Sequence, residues 1–577
     1  MFRRIHSGRH NNAPSTVPRT RALGGAQNHQ TGVWHRRLRS YDQRVRTRRV
    51  DFVSRLPLEL VSTLILPSSL ILPLRHTFAY LHVCRTWRQR VLQSVQLHYI
   101  SVGRVTFGGK QIMIAYAPYI TCITLGHPSE LPLYFFSRSQ FACLQSLILT
   151  LVSQNDMRAV VRLLQPITAV LKTISLTISH ALPNAAIAFK DIMPNGSRLE
   201  AFTCNKIDMT GFISHDHVHK YPNLKKLIIT SITHPLEEKN IIGLLERFPS
   251  LQLLSLPQCQ HSTPLSLMPQ YCPFLDSLIY SVKQKAFEAE CHPRTDNQVG
   301  LHSVYLDTGE NFHIEDIASL LASHCDTLIS INMMGKMNHH PGGISSAILS
   351  QHVHFKRLTR LMVYPGDDDD DIDSRSALSE WIIKGAPNAK EIEAPRCNIS
   401  HPDVYHTMTR MTDLESLSFA LPSTALIDGL EYHGTTLKHR SKLQILSVDV
   451  HYSGEQCPRV WRAVAGLSNL RELFMQLRGA TLDEEFVTFI EALARGCPEL
   501  TQLILESPTD FPTAIIAKFP LYPKLEELTL GSPNFWDSCL LDVLKCPYLQ
   551  ALYMDSTQMT DHVAIALAYL TGDAYLE

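Results

Sequence analysis

The stretch that decides the fold reads CPELTQLIL over residues 497–505. Its leucines stand at positions 500, 503 and 505. Such an alternation of apolar and other side chains is typical of a strand buried on one side. Residues 485–493, just upstream, carry apolar side chains at helical spacing, and the proline at 498 predicts that this helix has ended. The stretch therefore predicts a helix, a short exit and a strand.

The same pattern of a leucine, two residues, an apolar residue, one residue and a further apolar residue returns along the chain. A possible earlier copy begins at Ile120. The sixteen copies counted begin at Leu144, Leu171, Leu199, Leu224, Leu251, Leu275, Leu301, Leu328, Leu358, Ala389, Leu414, Leu443, Leu470, Leu500, Leu525 and Leu549. From the first to the last is 405 residues, a mean period of 27. This period falls in the window of about 20–29 residues that is typical of leucine-rich repeats.

The array resembles leucine-rich-repeat proteins over roughly residues 115–577, with degenerate copies that mostly lack the usual Asn or Cys after the third apolar position. One strand and one helix cannot bury their apolar faces alone, but stacked neighbours can share a continuous core. A chain of 577 residues is also too long for a single compact core. We predict an α/β fold, a curved leucine-rich-repeat solenoid of strand–helix units, over residues 104–577, with about 16–17 repeats and the strands on the concave side.

Charge is divided unevenly along the chain. Residues 1–50 hold twelve Arg and one acid, Asp42, and the other 527 residues hold 42 basic and 52 acidic side chains, although the net charge is only +1. The basic tail has no hydrophobic periodicity and is predicted to be disordered. Three interpretations stay open: a nuclear-import or polyanion-binding patch, a mitochondrial presequence, or a solvated tail without a dedicated role.

A third pattern occupies residues 51–103, which are predicted to form a small all-α segment. Residues 56–61 read LPLELV, residues 83–88 read VCRTWR and residues 97–100 read LHYI. Pro57 suits the first turn of a helix whose apolar stripe includes Leu60 and Val61. This segment resembles an F-box, and an F-box directly before divergent leucine-rich repeats is similar to many fungal F-box proteins. Departures are His98 in place of the family's Trp, and a longer stretch between Glu59 and Trp87.

The resemblance implies that this segment docks onto the Skp-type adaptor, and through it the cullin, of an SCF-type ubiquitin ligase. The repeats would then select the target protein. The residues that match the family's motif, and are therefore the expected adaptor contacts, are Leu56, Pro57, Leu60, Val61, Val83 and Trp87. The alternative is that they only close the N-terminal end of the solenoid.

Target contacts are expected on the concave side, at the strand positions between the apolar ones. In the C-terminal half these are Asp449, Glu472, Phe474, Gln476, Glu506, Glu527, Tyr553 and Asp555. Earlier units offer Tyr305, Asp307, Arg360 and Tyr364. Acids mixed with aromatic side chains suit a basic, partly apolar partner segment. An ordinary polar strand face is the alternative.

Other classes of function find little support in the sequence. His215, His217 and His219 lack a fourth zinc ligand, and the acidic run 367–371 lacks the interleaved spacing of a calcium loop. No nucleotide-binding, zinc-protease or serine-hydrolase motif occurs. We therefore expect no enzyme activity, no cofactor and no metal.

Compartment and remaining partners are also expectations. Thirteen single Cys without a CxxC pair indicate reduced thiols in the cytoplasm or nucleus. The most apolar run, residues 56–74, is interrupted by Glu59, Pro67 and Pro73, so no membrane span is expected. Nucleic acid is expected only at the tail, if at all. The leading hypothesis is a substrate receptor of a ubiquitin ligase; a ligase-independent scaffold and a nucleic-acid-associated protein are the alternatives.

Overall fold

The structure is a computed structural model. It describes residues 72–73, 85, 88–89, 92, 97–101, 107–126, 141–167, 170–179, 182, 186–193, 198–209, 220–283, 299–338, 349–364, 372–395, 397, 399, 401–421, 424–451, 457–478, 482–531, 542–543 and 545–555.

The chain divides into two compact units. The first comprises Met1–Pro67 with Tyr80–Ser94, and the second comprises Ser68–Ala79 with Val95–Glu577. In the first unit the described residues are Arg85, Arg88, Gln89 and Leu92, which are helical, and Arg85 is exposed. The predicted tail and most of the F-box-like segment lie outside the described residues.

The second unit is built on one large parallel sheet. Nineteen of its described strands belong to this sheet, and each pairs with the next in parallel. The strands are β1 (Leu72–Pro73), β2 (Leu97–Ser101), β3 (Ile120–Leu125), β4 (Ser146–Leu151), β5 (Thr173–Ile178), β7 (Ala201–Cys204), β9 (Lys226–Ile229), β10 (Leu253–Leu256), β11 (Ser277–Ser281), β12 (Ser303–Thr308), β13 (Ser330–Gly335), β14 (Arg360–Tyr364), β15 (Glu391–Ala394), β16 (Ser416–Leu421), β17 (Ile445–His451), β18 (Glu472–Arg478), β19 (Gln502–Glu506), β20 (Glu527–Gly531) and β21 (Ala551–Asp555). Two short strands, β6 (Ile187–Ala188) and β8 (Ile207–Asp208), pair separately.

Helices alternate with these strands. They are α1 (Phe107–Tyr116), α2 (Gln154–Ile167), α3 (Phe189–Ile192), α4 (Glu238–Arg247), α5 (Thr263–Tyr271), α6 (Ile314–Ser323), α7 (Ile372–Gly385), α8 (Pro402–Met408), α9 (Thr424–Glu431), α10 (Cys457–Ala465), α11 (Glu484–Gly496) and α12 (Thr513–Ile516). Short 3₁₀ segments cover Ala117–Tyr119, Lys438–Arg440 and Phe519–Leu521, and a π-helical turn covers Tyr432–Leu437.

The repeat pattern predicts the strands correctly. Each of the sixteen counted starts is followed within three residues by a strand of the large sheet, and the possible earlier copy at Ile120 forms β3. In the copies that begin at Leu144 to Leu525, the second and third apolar residues of the motif, such as Leu503 and Leu505 in β19, are buried. Each strand therefore contributes one apolar side to a core that runs along the sheet, which is the architecture of a leucine-rich-repeat solenoid.

The F-box-like ending is now placed in this sheet. Residues 97–101 form β2, which pairs in parallel with β3, and Leu97 and Tyr99 are buried. The alternation of buried and open side chains in β2 therefore continues the pattern of the repeats. The prediction of an all-α segment over residues 51–103 is wrong for Leu72–Pro73 and Leu97–Ser101, because these residues form β1 and β2 of the large sheet.

In several repeats a buried side chain stands three positions before the first leucine of the motif. We call this position the exit position. It is Tyr221, Cys272, Cys497, Tyr522 or Cys546 in different repeats, and each of these side chains is buried. The following leucine turns back onto it, as in the 3.2 Å bond that the Leu500 amide donates to the Cys497 carbonyl. A small or aromatic buried residue thus fixes the turn from helix to strand.

Exit-position side chains also join one repeat to the one before it. The hydroxyl of Tyr522 donates to the carbonyl of Ile490 in α11 at 2.9 Å, and that of Tyr221 donates to the carbonyl of Met193, just after α3, at 3.2 Å. The thiol of Cys497 lies 3.5 Å from the carbonyl of Val464 in α10. Tyr221, Cys497 and Tyr522 therefore each direct a side-chain donor to a backbone oxygen of the preceding repeat.

Candidate protein-interaction face

The strands β17 to β21 place the predicted target contacts on one side of the sheet, which we call the open face. Side chains of β18 alternate between buried and accessible, because successive residues of a strand point to opposite sides. Parallel register aligns alternate positions of these strands in three rows. The first row holds Ile445, Glu472, Gln502, Glu527 and Ala551; the second holds Ser447, Phe474, Ile504, Thr529 and Tyr553; the third holds Asp449, Gln476, Glu506, Gly531 and Asp555.

The third row is linked by a chain of polar contacts. The Arg478 guanidinium lies 3.3 Å from a carboxylate oxygen of Asp449 and donates to the Gln476 amide oxygen at 3.0 Å. The Gln476 amide nitrogen in turn donates to Glu506 at 3.3 Å. The Asp449 side chain is only 9% exposed. Asp449 therefore pairs with Arg478, and Glu506 is a half-buried acid of this row that a partner can reach.

The first row carries acids of another kind. Glu472 is exposed and Glu527 is half-buried. Within the described part of the chain neither carboxylate has a hydrogen bond or an ion pair with another side chain. These two negative charges are therefore uncompensated and available at the surface.

The second row carries apolar or aromatic side chains in β18, β19 and β21 and lies between the first and third rows. Phe474 and Ile504 are half-buried, and Tyr553 is 45% exposed. Aromatic and aliphatic surface framed by polar groups is a common composition for protein-recognition surfaces. Asp555 occupies the third-row position of β21 by its register with Gly531.

The open face differs in the earlier repeats. Tyr305 and Asp307 are buried, at 6% and 0% exposure. The Tyr305 hydroxyl lies 3.0 Å from the Met334 sulfur, and Asp307 accepts from the Ser281 hydroxyl at 2.8 Å. Burial raises the pKa of the Tyr305 phenol. These two residues, which the sequence offered as outward contacts, are therefore internal supports of β12.

Two further early residues are paired with acids across the strands. Arg360 in β14 donates to Glu391 in β15, and the Tyr364 hydroxyl donates to Glu393. Burial, followed by the bond to Glu393, raises the pKa of Tyr364. The guanidinium of Arg360 thus compensates the charge of Glu391, whereas the Tyr364 phenol binds Glu393 and leaves its negative charge in place.

The cysteines at the exit positions are buried thiols. Burial raises the pKa of Cys272 and of Cys497 to about 12 and that of Cys546 to about 11. A thiol of such high pKa carries almost no thiolate at neutral pH, and the thiolate is the reactive form. These residues act as small apolar fillers, as the sequence indicates.

On the helix side, a groove of about 290 Å³ lies between α10 and α11. Trp461 and Phe489 line it, with ring centroids 4.7 Å apart and an interplanar angle of 27°. Trp461 also meets Phe486 edge to face at 5.3 Å. The rings pack the two helices together, so the groove belongs to the contact between neighbouring repeats.

The predicted adaptor contacts Leu56, Pro57, Leu60, Val61, Val83 and Trp87 lie outside the described residues. So do His215, His217 and His219 and the acidic run 367–371. In the part of the chain that the structure describes, no group of three or more His, Cys, Asp or Glu residues could hold a metal ion. Among the same residues, no helix is both long and apolar enough to cross a membrane.

Comparisons with known proteins add a distant likeness. A scan against protein-family models and a search of curated proteins each gave no match. Among the solved structures that match is "Crystal structure of TLR13-ssRNA13 complex", at 14% identity and a TM-score of 0.30, covering 77% of this chain and 63% of that one. The chain thus spans less than two thirds of that protein's length. The assignment of a leucine-rich-repeat type of fold rests on the parallel, in-register strands.

Proposed function

We propose that this chain is the substrate-recognition subunit of an SCF-type, cullin–RING ubiquitin ligase. The F-box-like residues 51–103 would dock the Skp-type adaptor, and the open face of the solenoid would hold the target protein. The observation that carries the proposal is the order of two features. Residues 56–61 and 83–88 resemble an F-box in sequence, and the run of repeats with one accessible sheet face follows them from β2 onward.

The mechanism is proximity. A target held on the open face gains a high effective concentration near a ubiquitin-charged enzyme that the adaptor and cullin bring to the same assembly. The chain itself would make and break no bonds, so we propose that it is not an enzyme and uses no cofactor. The buried single thiols support a reducing compartment, cytoplasm or nucleus.

Co-expression with a Skp-type adaptor tests the proposal. Wild-type chain should co-purify with the adaptor in equal amounts, and Leu56→Asp and Trp87→Ala should each abolish capture, because a hot-spot apolar side chain typically contributes 2 kcal/mol or more, roughly a thirtyfold change in affinity. Arg85→Ala is the matched control, because Arg85 is an exposed residue of the same segment. Circular dichroism checks that all variants fold. A well-folded wild-type chain that does not capture the adaptor would refute the ligase role.

A ligase-independent interaction scaffold is the second candidate. It is favoured by the open face itself, whose rows of acids and aromatics in β18 to β21 exist whether or not an adaptor binds. Loss of the ligase role in the co-expression experiment, with target binding retained, would select this candidate.

A further inference from the structure

Six residues of β18 to β20 form a small amphipathic surface within the open face, which we call the β18–β20 patch. They are Glu472, Phe474, Ile504, Glu506, Glu527 and Gly531. Glu472 and Glu527 occupy the same row, two strands apart. Neighbouring strands are about 4.8 Å apart, so these two acidic positions are about 10 Å apart.

The patch is negatively charged, and the basic residue of β18 is already paired. This residue, Arg478, binds Asp449 and Gln476 in the third row. In the described residues, Glu472 and Glu527 meet no cationic side chain. A separation of about 10 Å is too long for both carboxylates to ligate one metal ion, whose bonds to oxygen are about 2.0–2.6 Å long. A polyanion such as nucleic acid would be repelled. The charges therefore call for separate cationic groups on one partner.

The centre of the patch is apolar. Phe474 and Ile504 lie side by side in the second row, between the acids of the first row and Glu506 in the third. Next to Glu506 stands Gly531, where a Cβ would lie 3.2 Å from the Glu506 Cγ. The side chain of Glu506 therefore packs closely over Gly531, and its carboxylate borders the apolar centre of the patch.

We infer that the β18–β20 patch binds an extended basic segment of the target protein, in which arginine or lysine recurs every third residue with apolar residues between. A polyproline II segment rises about 3.1 Å per residue and returns to the same side every three residues, so equivalent side chains are about 9.3 Å apart. That spacing matches the separation of Glu472 and Glu527. The inference deepens the proposed function and rests on it, since the open face is the face assigned to the target.

The segment would lie across the strands. Cationic side chains along one of its edges would reach Glu472 and Glu527, and the intervening apolar side chains would lie on Phe474 and Ile504. The spacing of the two acids along their row thus determines the periodicity of the partner segment. The position of the apolar row determines which side of that segment is apolar.

Fluorescence anisotropy with the full chain tests this inference. The probe is a labelled twelve-residue peptide, four repeats of Arg-Tyr-Pro, compared with four repeats of Glu-Tyr-Pro and with a peptide of identical composition whose arginines are adjacent. Two exposed ion pairs contribute about two- to fivefold each, so Glu472→Gln combined with Glu527→Gln should weaken binding of the first probe about tenfold. Raising the salt to 0.5 M should weaken it further, because screening shortens the reach of charges.

Two variants sharpen the test. Gly531→Val adds bulk beside Glu506, where the segment would cross β20, and should weaken binding several-fold without changing any charge. Glu246→Gln combined with Glu484→Gln removes the same number of charges from α4 and α11 and should leave binding unchanged. Equal binding of the Arg and Glu peptides, equal binding of the two arginine peptides, or an equal loss in the α4 and α11 control would overturn the inference.

The outcome is separable from that of the ligase proposal. Peptide binding that fails while the adaptor is still captured would overturn only the β18–β20 patch. Adaptor capture that fails while the Arg-Tyr-Pro peptide still binds would refute only the ligase role.

Discussion

Removing the ring of Tyr522 should separate the stability of one exit position from the rest of the solenoid. Tyr522 is fully buried, and its hydroxyl donates to the Ile490 carbonyl at 2.9 Å. Replacing a buried aromatic ring by alanine costs about 3–5 kcal/mol, because apolar burial is lost and a cavity is left. Tyr522→Phe removes only the hydroxyl, so it should cost about 0.5–1.5 kcal/mol. Burial also raises the pKa of Tyr522 well above its usual value, so the phenol stays protonated and remains a donor.

Urea unfolding followed by circular dichroism would measure these losses in the full chain. The matched control is Tyr548→Ala, because Tyr548 lies in the next helix exit but is 63% exposed, and surface changes usually stay within about 0.5 kcal/mol. The expected order of loss is Tyr522→Ala, then Tyr522→Phe, then Tyr548→Ala. If Tyr522→Ala cost no more than Tyr548→Ala, the exit residue would not join the repeats and the reasoning would be refuted.

Three further predictions concern other parts of the solenoid. His433 is fully buried between the Ser441 hydroxyl at 2.9 Å and the Met408 carbonyl at 3.2 Å, and burial lowers its pKa. The unfolded chain therefore binds a proton at His433 more readily than the folded chain, and the free energy of unfolding should fall as pH drops below about 6.5. Urea titrations at pH 7.5 and 5.5 should show a smaller fall in this free energy for His433→Gln than for the wild type. Gly496→Ala would place a Cβ 1.7 Å from the Ala465 carbonyl, so we expect a loss of about 2 kcal/mol or more in urea, whereas Gly466→Ala, with 3.3 Å to its nearest neighbour, should cost less. Iodoacetamide at pH 8 followed by mass spectrometry should label the exposed Cys143 in the folded chain well before Cys272 or Cys497, and equal rates would contradict their burial.

The sequence predicts the repeats well because their signal is periodic and redundant. In a strand with one buried side, apolar and polar side chains must alternate. Leu503 and Leu505 therefore predict β19, and the same spacing predicts its neighbours. Helical spacing over residues 240–247 and 485–493 likewise indicates α4 and α11, which the structure confirms. The separate pairing of β6 with β8 is not predicted, because two-residue strands leave no period to recognise.

The open face is predicted less completely, since alternation tells which side of the sheet a residue occupies but not what it meets there. Asp449 and Glu472 look alike in sequence. Only the register of β17 with β18 brings Arg478 beside Asp449 and leaves Glu472 exposed. Tyr305 and Asp307 were placed on the accessible side, yet contacts with Met334 and Ser281 in neighbouring strands bury them. Pairing between residues about 27 positions apart carries no local sequence signal.

The contacts at the exit positions give the stack a polarity. Tyr522 and Cys497 each reach back to a carbonyl of the repeat before them, so a repeat is completed by its successor. Unfolding of one repeat should consequently affect the repeat before it more than the repeat after it. The preceding repeat loses a side-chain hydrogen bond to one of its carbonyls. When repeats are exchanged between chains, a helix should therefore be transferred together with the exit residue that binds it, which lies about one period later. A single repeat would not be a self-contained block.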